Sequence, residues 1–237
     1  MQTLAKLIYP AQCLTCDEMI EVACGLCPKC WSQTPFIVDP PCDACGRPLI
    51  GEAQEGDLCD DCRANPRPWD RGRAVMLYAG NGRAMVLKFK HGDRTDLARS
   101  AGAWLARAAE PLVCEDTLVA PVPLHWLRMV QRRYNQSALL AAQVAKLHGL
   151  DYCPDILRRP VATRKLDGMT ADQRHETVSG VIKVTPKRAK VIAGRHVLLI
   201  DDVMTTGATL AQCARTCLEA GASHVSIAVL ARVAREG

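Results

Sequence analysis

Beyond residue 70, apolar positions fall into short continuous runs that alternate with stretches of helical spacing. Ala74–Tyr78 reads as a strand turned by Gly80-Asn81-Gly82, and a short helix is expected from Met85 to Lys90. Asp96–Ala109 carries Leu97, Trp104, Leu105 and Ala108 on or near one face, the spacing of an amphipathic helix. Thr117–Val122 has the pattern of a buried strand, and Ser137–Leu147 that of a helix stopped by Gly149. Val197–Ile200, Ala208–Glu219 (ended by Gly221) and Val225–Ala231 predict strand, helix and strand. This alternation predicts an α/β fold. Arg159–Thr177 is polar, basic and weakly patterned, so a long mobile loop is expected there, and such loops inside compact domains are more often functional than accidental.

Before residue 70 the pattern is different. Cys, Gly, Pro and Asp dominate, periodicity is weak, and the proline-rich Asn65-Pro-Arg-Pro-Trp69 reads as a hinge. Two units are therefore expected, residues 1–70 and residues 71–237. The chain of 237 residues has thirteen cysteines, nine of them between Cys13 and Cys62. Clustering, an odd total and a start without a secretory pattern argue against a disulfide framework and lead us to expect a cytoplasmic protein without membrane insertion. The spacing is Cys13-x2-Cys16-x10-Cys27-x2-Cys30, then Cys42-x2-Cys45-x13-Cys59-x2-Cys62. Each CxxC supplies two thiolates from one tight knuckle, and two knuckles complete a tetrahedral site. Two structural Zn2+ ions are expected, since the knuckle turns at Cys45-Gly46 and Pro28 look like zinc ribbons, with iron–sulfur ligation as the alternative. Cys24-x2-Cys27 is also a CxxC, so the first site has an alternative ligand, and sequential and interleaved pairing both fit the spacing.

Charge separates the two units further. Residues 1–70 hold 5 Lys/Arg against 11 Asp/Glu, whereas residues 71–237 hold 25 against 14. A divalent ion bound by four thiolates makes the first unit more negative still. Attraction to phosphate therefore belongs to the second unit, and a structural or docking role suits the first.

The stretch Val197–Leu210, VLLIDDVMTTGATL, has the chemistry of a phosphate cradle. Four apolar residues suit a strand buried on both faces of a parallel sheet, with Asp201 and Asp202 at its carboxyl end, where open α/β sheets bind ligands. Thr205, Thr206, Gly207, Ala208 and Thr209 follow as a tight turn into a helix. Gly207 permits converging N–H groups, Ala208 keeps the approach open, and the helix dipole adds positive potential. The competing reading is an ordinary βα turn with a threonine N-cap and two solvated aspartates. The P-loop and the dinucleotide fingerprint are both absent. Two further basic segments fit phosphate or pyrophosphate oxygens: Arg128, Arg132 and Arg133 beside Asn135 and Gln136, and Arg164 with Lys165 in the expected loop.

Hydrophobic strand, two acids and a threonine/glycine loop resemble the type I phosphoribosyltransferases. That resemblance implies a parallel sheet flanked by helices, with Asp201 and Asp202 at the ribose hydroxyls and Thr205–Thr209 at the 5-phosphate. It also implies 5-phosphoribosyl pyrophosphate (PRPP) as ligand together with Mg2+, and a loop carrying Arg164 and Lys165 that closes over the pyrophosphate. Paired CxxC motifs, then Pro121-Val-Pro-Leu124 with Arg133-Tyr-Asn-Gln136, IDDVMTTGAT, Gly221-Ala222 and Ala231-Arg232 resemble the ComF family along nearly the whole chain, with an N-terminal double zinc ribbon. The departures are Tyr134 in the Arg-Tyr-Asn-Gln motif and the segment around Thr163, Lys165 and Gly168, where a Gln-x-x-Leu pattern is expected. The family resemblance implies a role in competence, in DNA uptake and its use as a nutrient, with single-stranded DNA and competence or recombination proteins as partners. The alternative is an active Mg-dependent phosphoribosyltransferase with an unknown acceptor. Only six aromatic residues follow residue 70, and nothing marks a nucleobase pocket.

Overall fold

Val197–Ile200 is apolar at every position because both of its faces are covered. In the computed structural model, which describes residues 11–21, 25–38, 40–91, 97–124, 134–160 and 181–233, this stretch lies at the centre of a five-stranded sheet. The elements in chain order are α1 (Pro28–Ser32), α2 (Asp60–Ala64), β1 (Arg71–Leu77), α3 (Gly80–His91), α4 (Leu97–Ala109), β2 (Leu118–Pro121), α5 (Gln136–His148), β3 (Asp151–Tyr152), β4 (Leu157–Arg158), β5 (Lys183–Val184), α6 (Ala189–Ile192), β6 (His196–Met204), α7 (Ala208–Glu219) and β7 (His224–Arg232). The sheet order is β1-β7-β6-β2-β3, and every pairing in it is parallel.

The alternation of side chains along β6 separates two cores. Val197 and Leu199 pack with Leu118, Ile227 and the α7 residues Leu210 and Ala214. Leu198 and Ile200 pack with Phe89 of α3, Leu105 of α4 and Leu140 of α5. From β2 the chain leaves through α5 toward β3, whereas from β6 it leaves through α7 toward β7. These adjacent strands depart in opposite directions, which opens a crevice beyond their carboxyl ends.

Every predicted helix and strand is present, with shifted ends. The helix expected from Met85 starts at Gly80, and α5 ends at Gly149, whose φ of 67° stops it. The largest shift affects the site. The strand expected over Val197–Ile200 continues to Met204, so Asp201 and Asp202 lie within β6 rather than after it. Pairing with β2 stops at Pro121↔Ile200, but pairing with β7 persists to Met204↔Arg232. The strand is thus released on its β2 side alone. The two-residue strands β3, β4 and β5 have too little sequence to show a period. Leu157↔Val184 and Arg158↔Lys183 pair antiparallel on either side of the expected loop Arg159–Thr177, of which residues 161–177 lie outside the described residues.

The cysteine-rich segment forms two similar halves that pack against opposite faces of the sheet. Antiparallel bridges Gln12↔Met19 and Pro41↔Pro48 close the two first knuckles, and Cys27 and Cys59 precede α1 and α2. Leu14 of the first half joins the α3–α4 core, while Cys42, Cys45, Cys59 and Cys62 of the second join the α7 core. Between them Pro35–Ile37 runs along β1, with Ile37 N–H donating to Val75 O and Leu77 N–H to Pro35 O, both at 2.9 Å. This contact covers an edge that would otherwise be open to other chains. The expected hinge is packed: Trp69 is 6% exposed and its Nε1 donates to Ala44 O at 2.6 Å. Among the described residues, no helix is long and apolar enough to cross a membrane.

Candidate functional site

The eight knuckle cysteines gather sequentially into two groups, Cys13, Cys16, Cys27 and Cys30, and Cys42, Cys45, Cys59 and Cys62, with the sulfurs of each group within 4.8 Å of one another. Tetrahedral zinc with Zn–S near about 2.3 Å requires sulfurs about 3.8 Å apart. Cys16 and Cys27 sulfurs are 3.7 Å apart, as are those of Cys45 and Cys59. Backbone N–H groups of Cys27 and Cys59 donate to the sulfurs of Cys13 and Cys42, both at 3.3 Å, which favours thiolates. Hydrogen bonds from Cys45 and Cys62 pull the Cys42 thiol down, while bonding to Cys42 pushes Cys62 up and Cys45 up to about 11. Four sulfurs cannot all ionise so close together unless a cation takes them. Both sets fit structural Zn2+. Interleaved pairing is excluded, and Cys24, the alternative ligand, lies outside the described residues.

At the end of β6 the chain builds a second constellation. Asp201, Thr205, Thr206, Gly207, Ala208 and Thr209 line one shallow cavity that opens to solvent. Gly207 has φ 84° and is the N-cap of α7, and the Ala208 N–H of the first turn makes a long bond of 3.4 Å to Thr206 Oγ1. A Cβ on Gly207 would come within 2.8 Å of Met204 Cε and 3.1 Å of the Trp69 ring, so packing from behind, as well as the turn itself, requires glycine. The N-cap itself, a glycine, offers no side chain to the first turn of α7, and Asp202 is 8% exposed rather than solvated. Such a helix start, with hydroxyls around it, can accept an anion.

The two acids are held differently. Asp201 Oδ1 accepts from Ser137 Oγ at 2.8 Å and from the Asp202 N–H at 2.9 Å. Asp202 Oδ2 faces Lys90 Nζ at 3.2 Å. Burial, then the charge of Asp202, pushes the Asp201 carboxyl up to about 7, against the opposing pull of Ser137, the Asp202 amide and Lys90. Asp201, beside the Lys90–Asp202 ion pair, can therefore gain or lose its negative charge near neutral pH.

The structure brings Asp201 and Thr205–Thr209 together around the cavity, with Asp202 next to it in β6. Arg128, Arg132, Arg133, Arg164 and Lys165 lie outside the described residues. Asn135 and Gln136, which flank the first basic group, have structural partners: Asn135 caps α5 through Ser137 N–H at 3.0 Å, and Gln136 Nε2 donates to Phe89 O at 3.4 Å. Sequence reasoning gave no role to Lys90, Ser137, Arg67 or Arg232. The basic run Lys88-Phe-Lys90 and the position of Ser137 directly after Arg-Tyr-Asn-Gln were the available signals.

Residues 4–69 match the double zinc ribbon domain, and residues 137–236 match the phosphoribosyl transferase domain. The chain is 26% identical to competence protein F of Haemophilus influenzae over 228 residues, covering 93% of this chain and 96% of that protein. It is 28% identical to the DNA utilization protein YhgH of Escherichia coli K12 over 234 residues, 95% and 99% of the two chains. Competence protein ComFC of Bacillus subtilis is 26% identical over 245 residues, 95% and 96%. The chain joins a double zinc ribbon to a phosphoribosyltransferase domain on a parallel sheet flanked by helices, and over nearly its whole length it is similar to competence protein F, ComFC and YhgH.

Proposed function

We propose that this chain binds PRPP or another 5-phosphoribosyl ligand at the end of β6 and acts in competence or in the use of imported DNA. The observation that carries the reading is the single cavity shared by Asp201 and the loop Thr205–Thr209, at the point where β2 and β6 part. Thr205, Thr206, Gly207, Ala208 and Thr209 hold the 5-phosphate, and Asp201 and Asp202 take the ribose hydroxyls, directly or through hydrated Mg2+. Arg128, Arg132, Arg133, Arg164 and Lys165 are assigned to the pyrophosphate on chemistry alone. The names of the relatives support the biological setting, and residues 71–237 are proposed to work beside residues 1–70 as the ligand-binding unit. Calorimetry with PRPP, with and without Mg2+, tests the reading. Saturable binding strengthened by Mg2+ is expected, and no heat in either titration overturns it. Turnover with an acceptor base or amine would favour the alternative, an active phosphoribosyltransferase.

Binding should depend on pH because of Asp201. Its protonated form accepts more weakly from a ribose hydroxyl and brings no charge to a cation, so affinity for PRPP with Mg2+ should rise between pH 6 and 8, by up to about tenfold for the one proton released. Stability runs the other way. A carboxyl whose folded pKa is raised contributes stability that is present below the unfolded value, about 3.9, and lost as pH rises through about 7. Asp201→Asn keeps an acceptor for Ser137 and should make the ligand-free protein more stable than the parent at pH 8. A flat pH profile of PRPP binding in the parent would show that Asp201 is ionised throughout.

Contact with single-stranded DNA belongs to the same proposal. The excess of Lys/Arg over Asp/Glu in residues 71–237 predicts binding whose affinity falls steeply with salt. Fluorescence anisotropy of a labelled oligonucleotide at 50 and 200 mM salt measures this. Affinity indifferent to salt would mean that phosphate neutralisation is not the driving term.

A further inference from the structure

Two arginines from distant parts of the chain hold the loop after β6 from behind. Arg232, buried at the end of β7, donates through Nη1 to the carbonyls of Met204 (3.3 Å), Thr205 and Val233 (2.8 Å). Arg67 comes from the ribbon segment and donates through Nη1 to Thr206 O at 3.3 Å. Its Nη2 meets the Asp61 carboxylate, and its guanidinium lies beside the Cys62 sulfur. Two residues on, the Trp69 ring lies 3.1 Å from where a Gly207 Cβ would be, while Trp69 Nε1 is tied to Ala44 in the first knuckle of the second cysteine group. Both knuckles of that group thus reach the loop, through Ala44 and Trp69 on one side and through Cys62 and Arg67 on the other.

These contacts bear on the amides that face a ligand. In a planar trans peptide the N–H of one residue points opposite to the preceding carbonyl. Carbonyls of Met204, Thr205 and Thr206 drawn toward the arginines turn the N–H groups of Thr205, Thr206 and Gly207 the other way. Successive N–H groups on one side of a loop make an anion site. Arg67 fixes the last of the three.

We propose that Arg67 is a positioning residue that couples the Cys42, Cys45, Cys59 and Cys62 zinc site to the phosphate cradle, so that zinc occupancy there and binding of the phosphate support each other. This inference rests on the reading of Thr205–Thr209 as a phosphate cradle. Zinc with four thiolates carries a net charge of −2 and fixes Cys62, which gives the neighbouring guanidinium a constant counter-charge and a constant orientation. Without the metal, Arg67 loses that anchor and Thr206 O loses an oriented donor. Coupling of this kind is reciprocal, so the ligand must also slow the loss of zinc.

The test uses the full zinc-loaded chain with Arg67→Met, which keeps the apolar stem, and Arg67→Lys, which keeps the charge without the fork. PRPP affinity is measured by calorimetry, exchange of the 204–209 amides by mass spectrometry, and zinc release with a chromogenic chelator. Arg67→Met should bind PRPP about tenfold more weakly, exchange these amides faster, and leave the zinc-release rate unchanged by PRPP. Arg67→Lys should fall between it and the parent, in which PRPP should slow release of one of the two ions. If Arg67→Met sheds an ion by itself, Arg67→Lys carries the comparison. Parent-like PRPP affinity and unchanged exchange in the folded variants would overturn the coupling. If the parent itself does not bind PRPP, the cradle reading fails and the exchange data alone decide: faster 204–209 exchange in the ligand-free variant supports the coupling, and unchanged exchange overturns it.

Discussion

Removing the zinc held by Cys42, Cys45, Cys59 and Cys62 is expected to destabilise the sheet as well as the ribbon. Composition alone suggests that Cys59→Ser would release one ion and leave residues 71–237 largely folded. The packing argues otherwise. These four cysteines are buried in the same core as Trp69, Val197, Leu199, Leu210 and Ile227. Asp43, between Cys42 and Cys45, takes Arg71 Nη2 at 2.9 Å and Arg73 Nη2 at 2.8 Å from β1. A structural zinc site contributes roughly 10–16 kcal/mol of apparent binding energy, comparable to the about 5–15 kcal/mol that holds an ordinary domain together. Elemental analysis should find two zinc ions in the parent and one in Cys59→Ser, and the variant should unfold at markedly lower denaturant by far-UV circular dichroism. Cys27→Ser should also lose one ion, with a smaller effect on the sheet, because the first group packs as a separate small cluster and reaches the sheet mainly through Leu14 and contacts to α3 such as Lys88 Nζ to Thr15 O at 2.8 Å. Equal stability of Cys59→Ser and parent would mean that the second ribbon folds apart from the sheet.

What the sequence disclosed and what it hid follow from how local each signal is. The strand β6, both acids, the glycine and the helix α7 lie within His196–Glu219, so one apolar run and one short motif announce them. The cysteine spacing announced two metal sites for the same reason, since each knuckle is four residues long. The pairing of knuckles needed the sulfurs in space. Lys90 was invisible because its partner Asp202 is far along the chain, and a lysine on a helix is ordinarily solvated. The Arg67–Thr206 contact spans 139 residues and uses a backbone acceptor, which carries no sequence signal. The hinge reading of Asn65–Trp69 failed on one side chain: two prolines do make an extended segment, but Trp69 buries itself against the loop it follows to. Asp201 and Asp202 were placed after a strand that in fact contains them, since the continuous apolar run ends where unbroken burial ends and not where the hydrogen bonds to β7 end.

Asp201→Asn together with Asp202→Asn should weaken PRPP binding by at least about tenfold while leaving inorganic phosphate nearly unaffected. Charged hydrogen bonds contribute on the order of 1.5–3 kcal/mol each, and both acceptors are changed. The asparagines keep size and one carbonyl oxygen, so Ser137 Oγ and the Asp202 amide retain an acceptor at position 201. The loss should therefore fall on the charge presented to the ribose hydroxyls or to a hydrated cation. The Thr205–Thr209 loop is untouched, and Arg232 and Arg67 continue to hold its carbonyls. Ribose 5-phosphate carries the same hydroxyls and should lose affinity with PRPP. Gly207→Val should do the reverse: its side chain meets Met204 and the Trp69 ring at a φ that valine resists, so the loop shifts and inorganic phosphate loses affinity along with PRPP. The two variants thus separate the ribose half of the site from the phosphate half. Calorimetry with the three ligands distinguishes them, and PRPP affinity equal to the parent in both folded variants would reduce the cradle to a βα turn with no ligand.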